Sequence, residues 1–346
     1  MATILTLSKS DLEQLIDGII AEQKVYGIQQ KGEKYNFAEL NAAKDLTLDY
    51  DVSLQSPKKF FLPACESLLS FDGECKYKSD FDTEKFVLVG VHPYDMIAVN
   101  QMDILFEQDN RDNHYFARRD NAVIIALDVV NPSKNVFATS MKTATVESGF
   151  DVILTDLGDG NFVAESITDA GDELLAKAGG SKPSDADLEK RKQIRHHNTD
   201  HLNKHKLECK LSDLPKLLDK SYDHPVWKEM SEKCFRCGSC NLVCPTCYCF
   251  DVQDEVEWDL TAGKRNRSWD GCMLDGFTKV AGEHEFRKSR SHRFRHRLYR
   301  KAKYVPQKIG GQIACVGCGR CVDACLPNIA NPINVYNELA DELKVD

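Results

Sequence analysis

The sequence has no apolar stretch long enough to cross a membrane, which takes about 20 residues. The longest run, AVIIALDVV, has nine residues and contains Asp128. The first residues, MATILTLSKSDLEQLIDG, turn polar by residue 8, unlike a secretory signal. We therefore expect a cytoplasmic protein without a membrane span.

Motifs for common cofactors and nucleophiles are also missing. The chain has no phosphate loop, flavin motif or nucleophile elbow, and residues 158–160 are too short and wrongly placed for a dinucleotide fingerprint. The formal net charge of −9 argues against a general nucleic-acid binder. We expect this chain to depend on other proteins for flavin or nicotinamide chemistry.

Cysteine, in contrast, is abundant, with 14 in 346 residues. In a reducing compartment, clustered cysteines bind metal more often than they form disulfides. Residues 234–250, CFRCGSCNLVCPTCYCF, begin with the C-x2-C-x2-C-x3-C-P run of bacterial ferredoxins. Residues 315–325, CVGCGRCVDAC, repeat the cysteine spacing, although the proline follows one residue late.

Paired runs of this kind bind two [4Fe–4S] clusters, because the fourth cysteine of each run binds the other run's cluster. Gly238 and Gly319 lie within the runs, where the backbone must turn sharply. The predicted ligands of the first cluster are Cys234, Cys237, Cys240 and Cys325. Those of the second are Cys315, Cys318, Cys321 and Cys244.

Three further cysteines suggest a third iron–sulfur centre. Cys247 and Cys249 are spaced i, i+2, so their side chains point to the same side of an extended chain. Cys272 is the next cysteine along, and His284 is our first candidate for a fourth ligand. A histidine ligand would raise the potential relative to four cysteines. The alternative is that these three cysteines are small buried apolar residues.

The remaining cysteines, Cys65, Cys75 and Cys209, have no partner at a ligand spacing, and we expect inert thiols. Residues 286–303, FRKSRSHRFRHRLYRKAK, hold nine Lys or Arg residues with interleaved aromatics. Such an arm could bind nucleic acid. Because it lies between cluster-ligand runs, we favour packing against the negative clusters instead.

The order of periodic segments predicts an α+β protein. Residues 1–180 read as an α/β domain with a mixed sheet, which includes a helix with a capping box at residues 10–13. Residues 181–226 read as a helical linker after the AGGSKPSD segment. Residues 227–346 read as a ferredoxin-like domain with two [4Fe–4S] clusters and a long insertion at about 251–312.

The three cysteine-bearing segments, in this order, resemble one family. HPVWKEMSEKCFRCGSCNLVCPTCYCF, SWDGCMLDGFTKVAGEHEFR and CVGCGRCVDAC look like the beta subunit of cytoplasmic sulfhydrogenases and the A subunit of anaerobic sulfite reductase. The resemblance implies a subunit that carries electrons. It also implies a flavin- and NAD(P)-binding neighbour that resembles ferredoxin reductases, and a separate catalytic subunit.

Within that family the N-terminal half departs from its relatives. They often have a cysteine where this chain has Tyr94, and CFC where it reads VFA at residues 136–138. Because of these departures we expect no cofactor at these positions in this chain, and we read the domain of residues 1–180 as a docking scaffold.

These observations predict an iron–sulfur electron-transfer subunit of a multi-subunit oxidoreductase. The catalytic partner could be a nickel–iron hydrogenase, a sirohaem sulfite reductase or a heterodisulfide-reductase-type complex. One alternative is a reductase subunit whose third centre, at Cys247, Cys249 and Cys272, binds substrate itself. Another is a zinc-binding module that uses the C-x2-C pairs.

Overall fold

A computed structural model describes residues 3–74 and 76–344. The strands in this part of the chain are β1 (Ile4–Ser8), β2 (Lys24–Lys31), β3 (Lys34–Glu39), β4 (Cys65–Asp72), β5 (Tyr77–Ser79), β6 (Phe86–Val91), β7 (Ala122–Leu127), β8 (Val152–Asp156), β9 (Asn161–Ser166), β10 (Phe250–Val256) and β11 (Ala262–Trp269). The α-helices there are α1 (Lys9–Glu22), α2 (Lys58–Phe61), α3 (Pro93–Glu107), α4 (Asn113–Arg119), α5 (Ala138–Met141), α6 (Asp169–Leu175), α7 (Asp185–His201), α8 (Leu214–Lys220), α9 (Val226–Ser231), α10 (Ser239–Leu242), α11 (Arg290–Tyr299), α12 (Arg320–Asp323) and α13 (Pro332–Leu343).

A seven-stranded mixed sheet organises the first half of the chain, in the order β1-β9-β8-β7-β6-β2-β3. The central strands β2, β6, β7 and β8 pair in parallel, and the outer pairings are antiparallel. β6 reads FVLVGV and is buried along its whole length, as expected for a parallel strand covered on both faces. The structure confirms the α+β class and the mixed sheet.

The first helix packs against this sheet through four apolar residues on one face. Leu12, Leu15, Ile16 and Ile19 are all buried. The predicted capping box at residues 10–13 is wrong by two positions. Ser8 accepts a hydrogen bond from the Asp11 amide at 3.1 Å, and the Asp11 carboxylate accepts one from the Ser8 amide at 2.9 Å. The helix starts earlier because β1 ends directly at Ser8.

A second sheet joins two distant parts of the sequence, in the order β10-β11-β4-β5. β4 and β5 belong to the N-terminal half, whereas β10 and β11 form a hairpin at the start of the insertion. The insertion is thus attached to the N-terminal half by a continuous antiparallel ladder.

The C-terminal half forms a second apolar core from short helices. Residues from α8, α9, α11 and α13 meet there, including Leu217, Trp227, Phe294 and Tyr336. The preceding helix α7 lies against β8 and β9 of the first sheet. No helix among the described residues combines the length and the apolar character needed to cross a bilayer.

Candidate iron–sulfur centres

The first predicted set of cysteines lines one cavity of about 380 Å³. Cys234, Cys237 and Cys240 surround it from the first ferredoxin run, and Cys325 reaches it from the second. Gly238 has φ +72° and precedes α10, so the chain turns between the second and third cysteines in a left-handed conformation that favours glycine. The fold therefore gathers these four thiols although 85 residues separate Cys240 from Cys325.

The second set lines a neighbouring cavity of about 370 Å³. Cys315, Cys318 and Cys321 contribute from the second run, and Cys244 reaches across from the first. Burial raises the pKa of the Cys315 thiol to about 12. The site is therefore well screened from water, and metal binding there must displace protons.

The third set lines a cavity of about 310 Å³. Cys247, Cys249 and Cys272 are among its lining residues, together with Asn241 and Tyr248. Asn241 directs its amide nitrogen at the sulfurs of Cys247 and Cys272, at 3.5 Å from each. The sequence analysis missed Asn241, and its position between Cys240 and Cys244 is the one signal that could have revealed it.

His284 does not reach this cavity in the structure. Its side chain is exposed, and its ring packs edge-on against Phe286 at 4.8 Å. It is absent from the residues that surround the third cavity. The structure therefore brings the three cysteines together and leaves His284 at the surface.

Two buried cations lie between the cavities. Lys301 donates hydrogen bonds to the sulfurs of Cys244, at 3.1 Å, and Cys247, at 3.4 Å. Arg297 lines both the second and the third cavity. Desolvation lowers the pKa of Lys301, but the nearby thiolates, led by that of Cys244, outweigh it and raise the pKa overall.

These cations provide a test of whether the site fits an anionic cluster. Within the described residues, neither Arg297 nor Lys301 forms an ion pair with a carboxylate, and Arg297 Nε is buried without a hydrogen-bond partner. A buried charge is expensive unless an opposite charge compensates it. A thiolate-bound iron–sulfur cluster supplies that negative charge, so Arg297 and Lys301 suit a site that holds such a cluster.

The spacing of the thiols also argues against single metal ions. Among residues 3–74 and 76–344, no three His, Cys, Asp or Glu side chains gather closely enough to hold one ion. This geometry disfavours the zinc-binding module.

The N-terminal half holds the second run in place by hydrogen bonds to backbone carbonyls in and just before that run. The Phe137 amide donates to the Gly317 carbonyl at 2.8 Å, and the Thr143 hydroxyl donates to the Val316 carbonyl at 2.7 Å. Gln101 donates to the Ile313 carbonyl at 3.1 Å. The N-terminal half thus supports the loop of the second cysteine run directly.

Tyr94 belongs to this support and lies in a buried polar network. Its hydroxyl is 2.6 Å from His92 Nδ1, and the His92 ring stacks on Tyr50 at 4.1 Å. Burial lowers the pKa of His92 well below its usual value. The imidazole is therefore neutral and acts as a packing and hydrogen-bonding group.

The other cysteines lie away from the three cavities. Cys65 is exposed on β4, and Cys209 is half-buried against the second core. Cys75 lies outside the described residues. Neither Cys65 nor Cys209 lines any of the three cavities, so neither adds a ligand to the predicted sets.

Comparison with known proteins agrees with the geometry. Residues 233–329 match the family model of a 4Fe-4S dicluster domain. The chain is 33% identical over 322 residues to sulfhydrogenase 2 subunit beta of Pyrococcus furiosus, covering 92% of this chain and 93% of that one. A chain of the F420-reducing [NiFe] hydrogenase complex of Methanosarcina barkeri aligns with TM-score 0.37 and 13% identity, covering 58% of this chain and 90% of that one. This last similarity is too low to define a shared fold.

The domain, the cysteines and the cavities define an iron–sulfur protein of the electron-transfer class, with two [4Fe–4S] clusters in its dicluster domain. The chain belongs to the family of sulfhydrogenase beta subunits.

Proposed function

We propose that this chain is an electron relay with three iron–sulfur centres. When bound, such clusters supply one-electron transfer at potentials set by their surroundings. The proposed ligands of the first [4Fe–4S] cluster are Cys234, Cys237, Cys240 and Cys325. Those of the second are Cys315, Cys318, Cys321 and Cys244, and those of the third centre are Cys247, Cys249 and Cys272.

The position of Lys301 is the observation that carries this proposal. Its ammonium group contacts Cys244, from the second set, and Cys247, from the third. Lys301 therefore contacts a cysteine of each set. The first and second sets are also adjacent, since Cys240 and Cys325 of the first pack against a small core that contains Cys321 of the second. Three neighbouring centres make a continuous path.

The chain's own residues control this path by charge and by exclusion of water. Arg297 and Lys301 supply positive charge and hydrogen bonds to the thiolates, which favours the reduced state and raises the potential. The second set is almost fully buried, with Cys315, Cys318 and Cys321 all shielded. We therefore assign the protein the role of setting the cluster potentials and passing electrons. The partner subunits carry out the bond chemistry.

The partners follow from what the chain lacks. It has no flavin or nicotinamide motif of its own. Its relative is named as a subunit of a sulfhydrogenase. We propose a flavin- and NAD(P)-binding reductase subunit on one side and a catalytic subunit, of the nickel–iron hydrogenase type first, on the other, in the cytoplasm.

Iron and acid-labile sulfide analysis of anaerobically purified protein tests the relay. We expect about twelve irons per chain, from three four-iron clusters, whereas about eight would remove the third centre. The isolated chain should reduce neither NAD(P)+ nor sulfite and should evolve no hydrogen. Colourless protein without sulfide would overturn the proposal.

A second function is favoured by the third cavity itself. Three cysteines line it, and the predicted fourth ligand His284 is at the surface. A centre with an open coordination position could bind substrate, which would make the chain a reductase subunit. A spectrum of the third centre that changes on addition of sulfite, polysulfide or a thiol would support this function, and an unchanged spectrum would exclude it.

A further inference from the structure

The hairpin β10–β11 begins and ends at the third cysteine set. Cys249 directly precedes Phe250, the first residue of β10, and Cys272 lies three residues after Trp269, the last residue of β11. The Asp270 amide donates to the Cys249 carbonyl at 3.0 Å and so closes the base. Whatever binds the hairpin is therefore held next to the third cavity.

The base of the hairpin is firmly attached to the N-terminal half. Arg267 is buried and donates to Glu66 at 2.8 Å and also to Asp112. Glu66 accepts a second ion pair from Arg118 at 2.6 Å. Such a buried network holds β11 and β4 in one arrangement, because separating any ion pair leaves a buried charge without compensation.

The distal half, in contrast, is exposed and carries three large apolar side chains. Residues of β10 alternate so that Phe250, Val252 and Val256 lie on one side with Asp254, which forms an ion pair with Arg265, and Trp258 follows at the tip. Val256 is 49% exposed, Leu260 78% and Trp258 fully exposed, at 103%. An exposed apolar cluster that includes tryptophan is typical of a protein interaction site.

The opposite side of the same strand is acidic. Asp251, Glu255 and Glu257 lie there, and none of them forms an ion pair among the described residues. Two copies of the chain that joined at their β10 edges would bring these carboxylates together, which is unfavourable. The same charges would repel an anionic membrane. The complementary surface is therefore apolar with a rim of Lys or Arg.

We propose that the distal half of the hairpin, residues 254–262, docks a different protein subunit through an apolar pocket rimmed by basic residues. Trp258 fills the pocket, and the acidic side of β10 contacts the rim. The attachment of the base then places that subunit beside the third cysteine set. The docking role extends the proposed function, since it assigns the partner to one end of the relay.

Zero-length carbodiimide coupling of the native complex tests the contact directly. The complex is purified from native cells through a tag on this chain, and the reagent joins a carboxylate to a lysine in contact with it. Mass spectrometry should find Glu255 or Glu257 joined to a lysine of another subunit. A link to a second copy of this chain, or no link from these residues, would overturn the proposal.

Variants of Trp258 test the apolar part. Trp258→Ser should weaken recovery of the subunit by roughly 30-fold, as expected for a central tryptophan, while Trp258→Phe should retain most of it. Ile104→Ser, on α3 and 43% exposed, is the matched control and should have no effect. Wild-type recovery by Trp258→Ser would contradict docking, as would binding of the isolated chain to phosphatidylglycerol vesicles that this variant abolishes.

Iron content separates this proposal from the relay. All three variants should keep the iron and sulfide content of the wild type. If Trp258→Ser alone loses iron, the hairpin supports the third centre and is not a docking element. If the wild type lacks iron, the relay fails independently of the hairpin.

Discussion

Asp95 and Arg320 form a two-pronged ion pair in the interior, with N–O distances of 2.6 and 2.5 Å. Both side chains are almost fully buried. Asp95 lies on α3 of the N-terminal domain, and Arg320 lies next to Cys321 of the second set. Arg320 also donates to the Ser53 carbonyl at 2.7 Å. The pair therefore ties α3 of the N-terminal half to the second cavity.

Asp95→Ala should destabilise the protein by about 3–5 kcal/mol, because it leaves the Arg320 guanidinium buried without compensation. The measurement is the urea midpoint at which the cluster absorbance is lost under anaerobic conditions. Replacing both partners, as Asp95→Leu with Arg320→Met, should cost less than the single change. Glu84→Gln at the exposed pair with Lys24 is the control, with an effect below about 1 kcal/mol. An equal loss of stability in Asp95→Ala and Glu84→Gln would contradict the expectation that the buried pair matters more than the exposed one.

Lys301→Gln should lower the potential of the second centre by roughly 50 mV. It removes a charged hydrogen bond to Cys244, and ~1 kcal/mol of differential stabilisation corresponds to about that shift for one electron. Anaerobic redox titration followed by electron paramagnetic resonance measures the change. Lys301→Arg keeps the charge and should shift the potential less. A potential unaffected by either change would show that Lys301 does not tune the centre.

Gly317→Ala should disrupt the second centre. Gly317 has φ +66°, and a Cβ there would lie 2.6 Å from the carbonyl carbon and oxygen of Phe137. The clash pushes the cluster loop away from the N-terminal domain, so iron should fall by about four atoms per chain. Gly310→Ala is the matched control, since Gly310 has φ +74° with nothing within 4 Å. It should cost about 1–2 kcal/mol and keep its iron. Similar iron loss in both variants would show that backbone strain, and not the clash with Phe137, causes the loss.

Cys272→Ser should remove the third centre and reduce iron from about twelve to about eight atoms per chain. His284→Ala should leave the iron content unchanged, because the His284 side chain faces solvent outside the third cavity. Cys65→Ser, at an exposed cysteine remote from the cavities, is the control and should also have no effect. Iron loss in His284→Ala would restore His284 as the fourth ligand.

The sequence predicted which cysteines come together better than it predicted the side chains that surround them. Ligand spacing is local within each run, so residues 234–250 and 315–325 could be recognised without knowing the fold. β6 and β7 are also recognisable from the sequence, because each is a short apolar run. Partners such as Asp95 and Arg320 lie 225 residues apart, and no local pattern connects them.

The hairpin β10–β11 was not predicted, although β10 does alternate apolar and polar residues. β10 is exposed along most of its length, so its residues resemble those of a loop. The hairpin's neighbour in the sheet is β4, far away in the sequence. Lys301 was foreseen only as one member of a basic arm, since its single contact with two sulfurs depends on how α11 continues into residues 300–304.

The pairing of β4 with β11 has a consequence for biosynthesis. About 190 residues separate the two strands, so at 5–20 residues per second the ribosome completes β11 roughly 10–40 s after β4 emerges. During that interval the nascent chain presents an open strand edge that can associate with other chains. Production of this protein in a foreign host should therefore improve when the residues between the two strands are translated faster. It should also improve when chaperones that shield nascent chains are abundant.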